Sequence, residues 1–482
     1  MSTPTNQNNS VDLFPVPKPL QTTILPTPQP LPGATPISTT TLREVLSDNH
    51  SRHHCYFGVG GLHNHAAHTA IALWYLGADS DVINAAYTYE KTYLRLRYTS
   101  PGPINQANWT VHLGNENYYD AYLAFFINEL ASEGPTATLE KYIFANSANF
   151  PGGEHKVEML NRFNGGLVHP LIHVGYGFEL GLPGMIAEGL AQAAVHAASA
   201  SAVIPASWFK TSPGKDRPNS TPSVLNVLAR VLADPDIVGH DLKHPFVSFE
   251  DTLERHGDKL VEYVEAWSPD LSTQEGVQAA LEEVVWLSTL LYAAPSMTTE
   301  EKGLFNADFF YMHLVTSSVF LPSLFLHLNQ RSKELLLHSY VSICLAWFIA
   351  RGKPQLEIEA FFASDSLKFL VTDVPLPAPY HEISLPSEAS PNPWVNIIQE
   401  SIVHPDDHIS KLQRTLLHYA QFYGRREAGY FKNTELKDAE RIDGTLFVRA
   451  ANLTSFRLRS TEDKNKYFGF VAWWDRRGHY QN

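Results

Sequence analysis

Cysteine is nearly missing from this sequence: Cys55 and Cys344 are the only two in 482 residues. That is too few for a disulfide framework, and the spacing is not that of a zinc ribbon or a redox pair. Charge is sparse too. Asp, Glu, Lys and Arg make up 18% of the chain, against roughly 25% in an ordinary soluble domain. What charge there is leans acidic, with 36 Lys and Arg against 50 Asp and Glu and a formal net charge of -14. Such a surface repels a phosphate backbone, which argues against nucleic acid as a partner. The first residues, Met1 to Ser10, lack both a basic and an apolar segment, so no secretory signal is expected. The most apolar runs, Leu314 to Leu328 and Tyr340 to Ala350, are broken by Ser, Pro or His. They fall short of the ~18 residues a membrane span needs. The expectation is an intracellular, cytoplasmic protein with no membrane partner.

Several catalytic templates are missing as well. No Gly-x-Gly-x-x-Gly follows a strand; the nearest match, Phe57-Gly-Val-Gly-Gly61, leads into a histidine-rich segment and has the wrong spacing. There is no Walker loop, no Gly-x-Ser-x-Gly elbow and no His-Glu-x-x-His. Dinucleotide binding of the Rossmann type and the commonest hydrolases are thereby disfavoured.

What is present is hydrophobic, at 44% of residues with 12% aromatic, enough for a sizeable core and incompatible with a disordered chain. Residues 1–40 are the exception. Rich in Pro, Thr, Asn and Gln, they are expected to form a disordered arm whose removal leaves activity unchanged. From Thr41 the texture changes to apolar runs at helical spacing, so residues 41–482 are expected to form one large, irregular all-α domain. Helices are predicted over Asn64–Leu76, Asp120–Glu133, Val168–Leu180, Ile186–Ala200, Gln274–Tyr292, Phe309–Leu328, Glu334–Ile349 and Asp406–Gly424. Gly77 ends the first of these, and Asp79 or Ser80 caps the next. Strand alternation and a fixed repeat are both absent. The Pro-rich stretches Thr211–Pro222 and Val374–Pro393 read as surface loops.

Histidine is the informative residue, with 22 copies clustered inside apolar helices. His65 and His68 lie three apart on one helix face, and His169 and His173 lie four apart, close enough for both imidazoles to reach one ion. His313 is a lone imidazole on an otherwise apolar helix and needs a partner. In His404-Pro-Asp-Asp-His408-Ile-Ser-Lys411, Pro405 breaks the preceding helix, Asp406 or Asp407 caps the next, and His408 and Lys411 share a face. Each also has an ordinary reading: a hydrogen-bonded core histidine, a surface helix start, a solvated lysine. His404 or His408, if free of metal, is a candidate general base. Trp74, Tyr75, Phe163, Tyr176, Phe310 and Trp347 are the aromatics expected to stack a planar ligand, or else to pack the core.

These segments together resemble a family. His53-His54 precedes Gly60-Gly-Leu-His-Asn-His-Ala-Ala-His68, followed by Asn164-Gly-Gly-Leu-Val-His-Pro-Leu-Ile-His-Val-Gly-Tyr-Gly-Phe-Glu179 and Gly-Leu-Ala-Gln-Ala-Ala-Val-His196. Then come Asp308-Phe-Phe-Tyr-Met-His-Leu-Val-Thr-Ser-Ser318, Ala350-Arg-Gly-Lys-Pro354, the His404–Arg414 segment and Trp474-Asp475-Arg476. In this order they are similar to the questin oxidase-like family of fungal polyketide pathways. The resemblance implies an oxidoreductase that opens a ring of an anthraquinone-like polyketide with O2, by Baeyer-Villiger-type insertion or C–C cleavage. It implies Fe2+ held by histidines, with His65, His68, His169, His173 and His313 the ligand candidates and Lys411 the candidate for carboxylation. NADPH enters only as a reductant implied by the resemblance. The competing expectations are a metal-free, NADPH-assisted oxidation of a phenolate, a non-catalytic helical polyketide-binding protein, and a zinc hydrolase.

Overall fold

Side-chain caps set many of the helix starts. Asp79 accepts the Val82 N–H, Thr273 that of Gly276, Asn329 that of Ser332, and Asp308 those of Phe310 and Tyr311. In a computed structural model that describes residues 12–58, 61–152, 156–210, 222–239, 244–297, 305–364, 392–459, 465–467 and 470–476, these helices form an all-α body. The one sheet among the described residues is a two-stranded antiparallel pair, Asn465–Tyr467 with Phe470–Ala472.

Helical segments expected from periodicity appear at nearly the expected bounds, as Ala66–Tyr75, Tyr119–Glu133, Gly165–Leu180, Pro183–Val195, Gln274–Ala293, Gln330–Ala350 and Ile409–Tyr423. The segment expected as one helix over Phe309–Leu328 is two, Phe309–Ser318 and Leu321–Phe325, because Pro322 starts the second. Gln330–Ala350 runs longer than expected and has the length and hydropathy of a membrane span, but 83% of its apolar window is buried inside the body. It is apolar all round because it is a core helix. Of the two Pro-rich stretches, 211–221 and 374–391 lie outside the described residues, and Pro393 opens the Pro393–Val403 helix.

The expectation of an arm over residues 1–40 does not hold from residue 12 onward; residues 1–11 lie outside the described residues. Phe14 and Leu25 are buried, and Arg43 Nε donates to the Phe14 carbonyl at 2.8 Å. Lys18 and Leu20 donate backbone N–H groups to Leu180 and Glu179, both at 2.9 Å. Residues 36–40 begin a helix, Pro36–Arg52, closed by a capping box between Thr35 and Ser38. This segment packs through a few anchors rather than a periodic face, which composition does not reveal.

Four helices meet at the centre. Ala66–Tyr75 packs on Ile409–Tyr423, which packs on Phe309–Ser318, which in turn packs on Gly165–Leu180. Pro183–Val195 folds back along Gly165–Leu180, and Gly189 allows the close approach: a Cβ there would lie 2.8 Å from the Val174 nitrogen. Buried ion pairs brace the ends. Arg351 and Asp308, both fully buried, meet at 2.5 Å, and Arg457 meets Asp475 at 2.8 Å. Asp475 also accepts the Ala307 N–H at 2.9 Å, fixing the start of the Phe309–Ser318 helix.

Candidate metal centre

The four central helices bring imidazoles from distant parts of the chain into one buried interior. His65 is the N-cap of Ala66–Tyr75, and His68 lies in its first turn. His169 and His173 sit on Gly165–Leu180, immediately after a break at Gly166, Leu167 and Val168, which all take left-handed backbone angles (φ 54, 55 and 57). For Leu and the β-branched Val this costs roughly 1–2 kcal/mol each. The break turns the chain so that His169 Nδ1 donates back to the Gly166 carbonyl. A side chain at Gly166 would collide with the His196 ring and approach His63 Cε1 to 2.6 Å.

Hydrogen-bond partners assign the tautomers. His65 Nδ1 is 2.5 Å from Asp407 Oδ2, His173 Nε2 is 2.6 Å from Glu188 Oε2, and His313 Nδ1 is 2.7 Å from the Phe309 carbonyl. In each ring, as in His169, one nitrogen donates to oxygen, so the other carries a lone pair. Those other nitrogens turn inward: His65 Nε2 faces His169 Nε2 at 2.7 Å, His173 Nδ1 faces His68 Nε2 at 2.8 Å, and His313 Nε2 is buried with no hydrogen-bond partner among the described residues. His63 stacks on His169 with ring centroids 4.0 Å apart.

Burial holds His63, His68, His169 and His313 well below the usual imidazole range and brings His65 to about 3, with Lys411 adding to the effect on His65 and Asp407 opposing it. Burial pushes the Asp407 carboxyl up, but the His408 and His65 rings more than reverse this and leave it well below the carboxylate range. The Asp407–His65 contact is therefore a neutral imidazole donating to a carboxylate. Glu90, buried nearby, behaves oppositely: burial and then Asp407 raise it to about 8.

His408 lies with its Nδ1 2.6 Å from Asp407 Oδ1, poorly directed for a hydrogen bond, and its ring is 4.6 Å from His65 and 5.1 Å from His313. Ligand atoms of His65, Asp407 and His408 all lie within 4.8 Å of one another. Lys411, one turn along the same helix, is buried; burial lowers its pKa, against Asp407, Asp406 and Glu90.

The structure thus gathers His65, His68, His169, His173, His313, His408 and Lys411, but not His404. That ring is half-buried in the preceding loop, where Nδ1 accepts the Asp406 N–H at 3.0 Å and the face meets Trp473 at 4.7 Å. Of Asp406 and Asp407, expected as helix caps, Asp406 accepts the His408 N–H at 2.9 Å through Oδ1, at the N-cap position itself, and neither bonds the amides of the first turn. Asp407 turns to the imidazoles, and Asp406 Oδ1 accepts the Trp474 indole N–H at 2.8 Å. Of the six aromatics, Tyr176 borders the cluster, 5.3 Å from His68, whereas Phe310 and Trp347 stack on each other at 4.9 Å. Phe309, unselected in the sequence, lies 4.6 Å from His313. A 200 Å³ cleft beside His418 and Phe422 and a 540 Å³ one beside Glu140 and Arg331 have no lining residue from the cluster.

Sequence reasoning missed Asp407, His63, Glu188 and His50. The carboxylates reach their imidazoles across 342 residues for Asp407 and His65 and 138 for Glu188 and His50. The one available signal was the Asp-Asp pair beside His408.

The questin oxidase-like family model matches residues 62–416, which hold every histidine of the cluster and Lys411. Over 388 residues the chain is 25% identical to an oxidoreductase, AflY, of Aspergillus parasiticus, covering 78% of this chain and 71% of that protein. It is 24% identical over 459 residues to the Baeyer-Villiger oxidase ptaJ of Pestalotiopsis fici, covering 90% and 92%. A questin oxidase of Aspergillus terreus is 23% identical over 385 residues, 77% of this chain and 78% of that protein. With a family match across most of its helical body, the chain belongs to the questin oxidase-like family and is an oxidoreductase.

Proposed function

We propose that this chain uses O2 to open a ring of an anthraquinone-like aromatic polyketide in fungal secondary metabolism, at a non-haem iron held by the buried histidines. The His65–His169 contact carries the reading. Each ring already donates through Nδ1, so two bare Nε2 lone pairs face each other at 2.7 Å in a buried interior. Protonating either ring would create a charge that burial opposes. A cation bound by both lone pairs would resolve the conflict, and imidazole nitrogen suits iron. His313 Nε2, also bare, and the His68–His173 pair supply further donors. Relatives named as oxidases favour a redox metal over zinc. When bound, iron supplies the one-electron chemistry that lets triplet dioxygen react with a closed-shell ring.

The protein's own groups have separate tasks. Burial favours the neutral amine of Lys411, which adds to carbon dioxide with loss of a proton and presents an anionic carbamate oxygen to the cation. His408, beside the Asp407 carboxylate, takes the proton of a substrate phenol and leaves an electron-rich ring. Tyr176 and Phe309 are aromatic rings that border the imidazoles. NADPH has no assigned place: among the described residues no parallel sheet carries a glycine-rich turn for a pyrophosphate.

Turnover of a hydroxylated anthraquinone under 18O2, followed by mass spectrometry, tests this. A ring-opened product carrying the label, lost in His169→Ala, is expected. Metal-loaded protein that binds the anthraquinone and returns it unchanged would instead make this a polyketide-binding protein.

A further inference from the structure

Glu188 lies on the Pro183–Val195 helix, outside the four helices that carry the imidazoles, and is buried. Its two oxygens are divided between two rings: Oε2 is 2.6 Å from His173 Nε2, and Oε1 is 2.5 Å from Nδ1 of His50, on Pro36–Arg52. It is an acceptor anchored at both oxygens. The Gln192 amide points its N–H at His173 Nδ1 at 3.1 Å, which requires that nitrogen to be an acceptor. Both sides of the ring therefore agree on one tautomer.

We propose that Glu188 is a positioning residue: its carboxylate holds the proton of His173 on Nε2, so that Nδ1 is the lone-pair nitrogen presented toward Gln192, His68 and the metal. His50 fixes the carboxylate in turn, tying the centre to the first helix. This rests on the metal reading above. A carboxylate behind a metal-bound imidazole orients the ring and raises its basicity, and losing one typically weakens metal binding about 10–100-fold.

Binding of Co2+ to metal-free protein, read by chelator competition and by the visible ligand-field band, tests the role without turnover. Glu188→Ala is expected to bind Co2+ about 10–100-fold more weakly, with a shifted band. Glu188→Gln, which keeps an oxygen acceptor for His173, is expected to recover most of the affinity, and thermal melts confirm that each variant is folded. If Glu188→Ala matches the wild type in affinity and band, Glu188 only fills space and the proposal falls alone. If the wild-type protein takes up no Co2+, the metal reading falls and takes this one with it.

Discussion

Lys411 shows how burial makes chemistry out of an ordinary residue. On a surface it is a solvated ammonium; here it stands among neutral imidazoles, with Asp406, Asp407 and Glu90 as the carboxyls that act on it. If its carbamate supplies an anionic oxygen, Lys411→Ala loses the metal and turnover, and millimolar acetate or propionate restores a measurable part of both. Native mass spectrometry of the iron-loaded protein should show the added mass of one carbon dioxide at Lys411. An unmodified Lys411 with iron still bound would sink this assignment. Asp407 makes a complementary case, because it fixes the tautomer of His65 and sits beside His408. Asp407→Asn should lower kcat by about 10–100-fold, with the fold retained. The pairs His65/His68 and His169/His173 were legible as metal-ligand spacings because helical geometry puts residues three or four apart on one face. Asp407 and Glu188 were not, since Asp407 reaches His65 across 342 residues and Glu188 reaches His173 and His50 only through the packing of separate helices.

At the scale of elements, the break at Gly166–Val168 decides where His169 points. Periodicity located the helix but not the three left-handed residues at its start, two of which are types that seldom adopt such angles. Gly166→Ala tests the break. The added methyl meets His196 and His63, so the variant should lose about 1–3 kcal/mol of stability, read as a lower Tm, and should take up less metal. A variant with unchanged Tm and full metal content would show that the break is incidental. The final Trp474-Asp475-Arg476 segment is a second device invisible to periodicity. Trp474 holds Asp406, Asp475 holds Ala307 and Arg457, and the Arg476 guanidinium lies 3.5 Å over the Phe309 ring. The chain's end thus supports both helices that face the centre from the C-terminal half.

Across the whole molecule, the centre is assembled from residues between His65 and Lys411, so it forms only when the four-helix arrangement is complete. The N-terminal segment belongs to that body. Deleting residues 1–40 removes the buried Phe14 and Leu25 and the start of the helix that carries His50. Each buried side chain contributes roughly 1.5–3 kcal/mol, so the truncated protein should melt well below the full chain; an unchanged Tm would restore the dispensable arm that composition suggests. Everything in the functional reading depends on a cation reconciling the bare nitrogens of His65 and His169. The most direct measurement is elemental analysis, for iron, zinc, copper and manganese, of protein purified without oxygen. Close to one iron per chain, lost in His169→Ala, is the expected result. Protein with no stoichiometric metal that still opens an anthraquinone ring would contradict it.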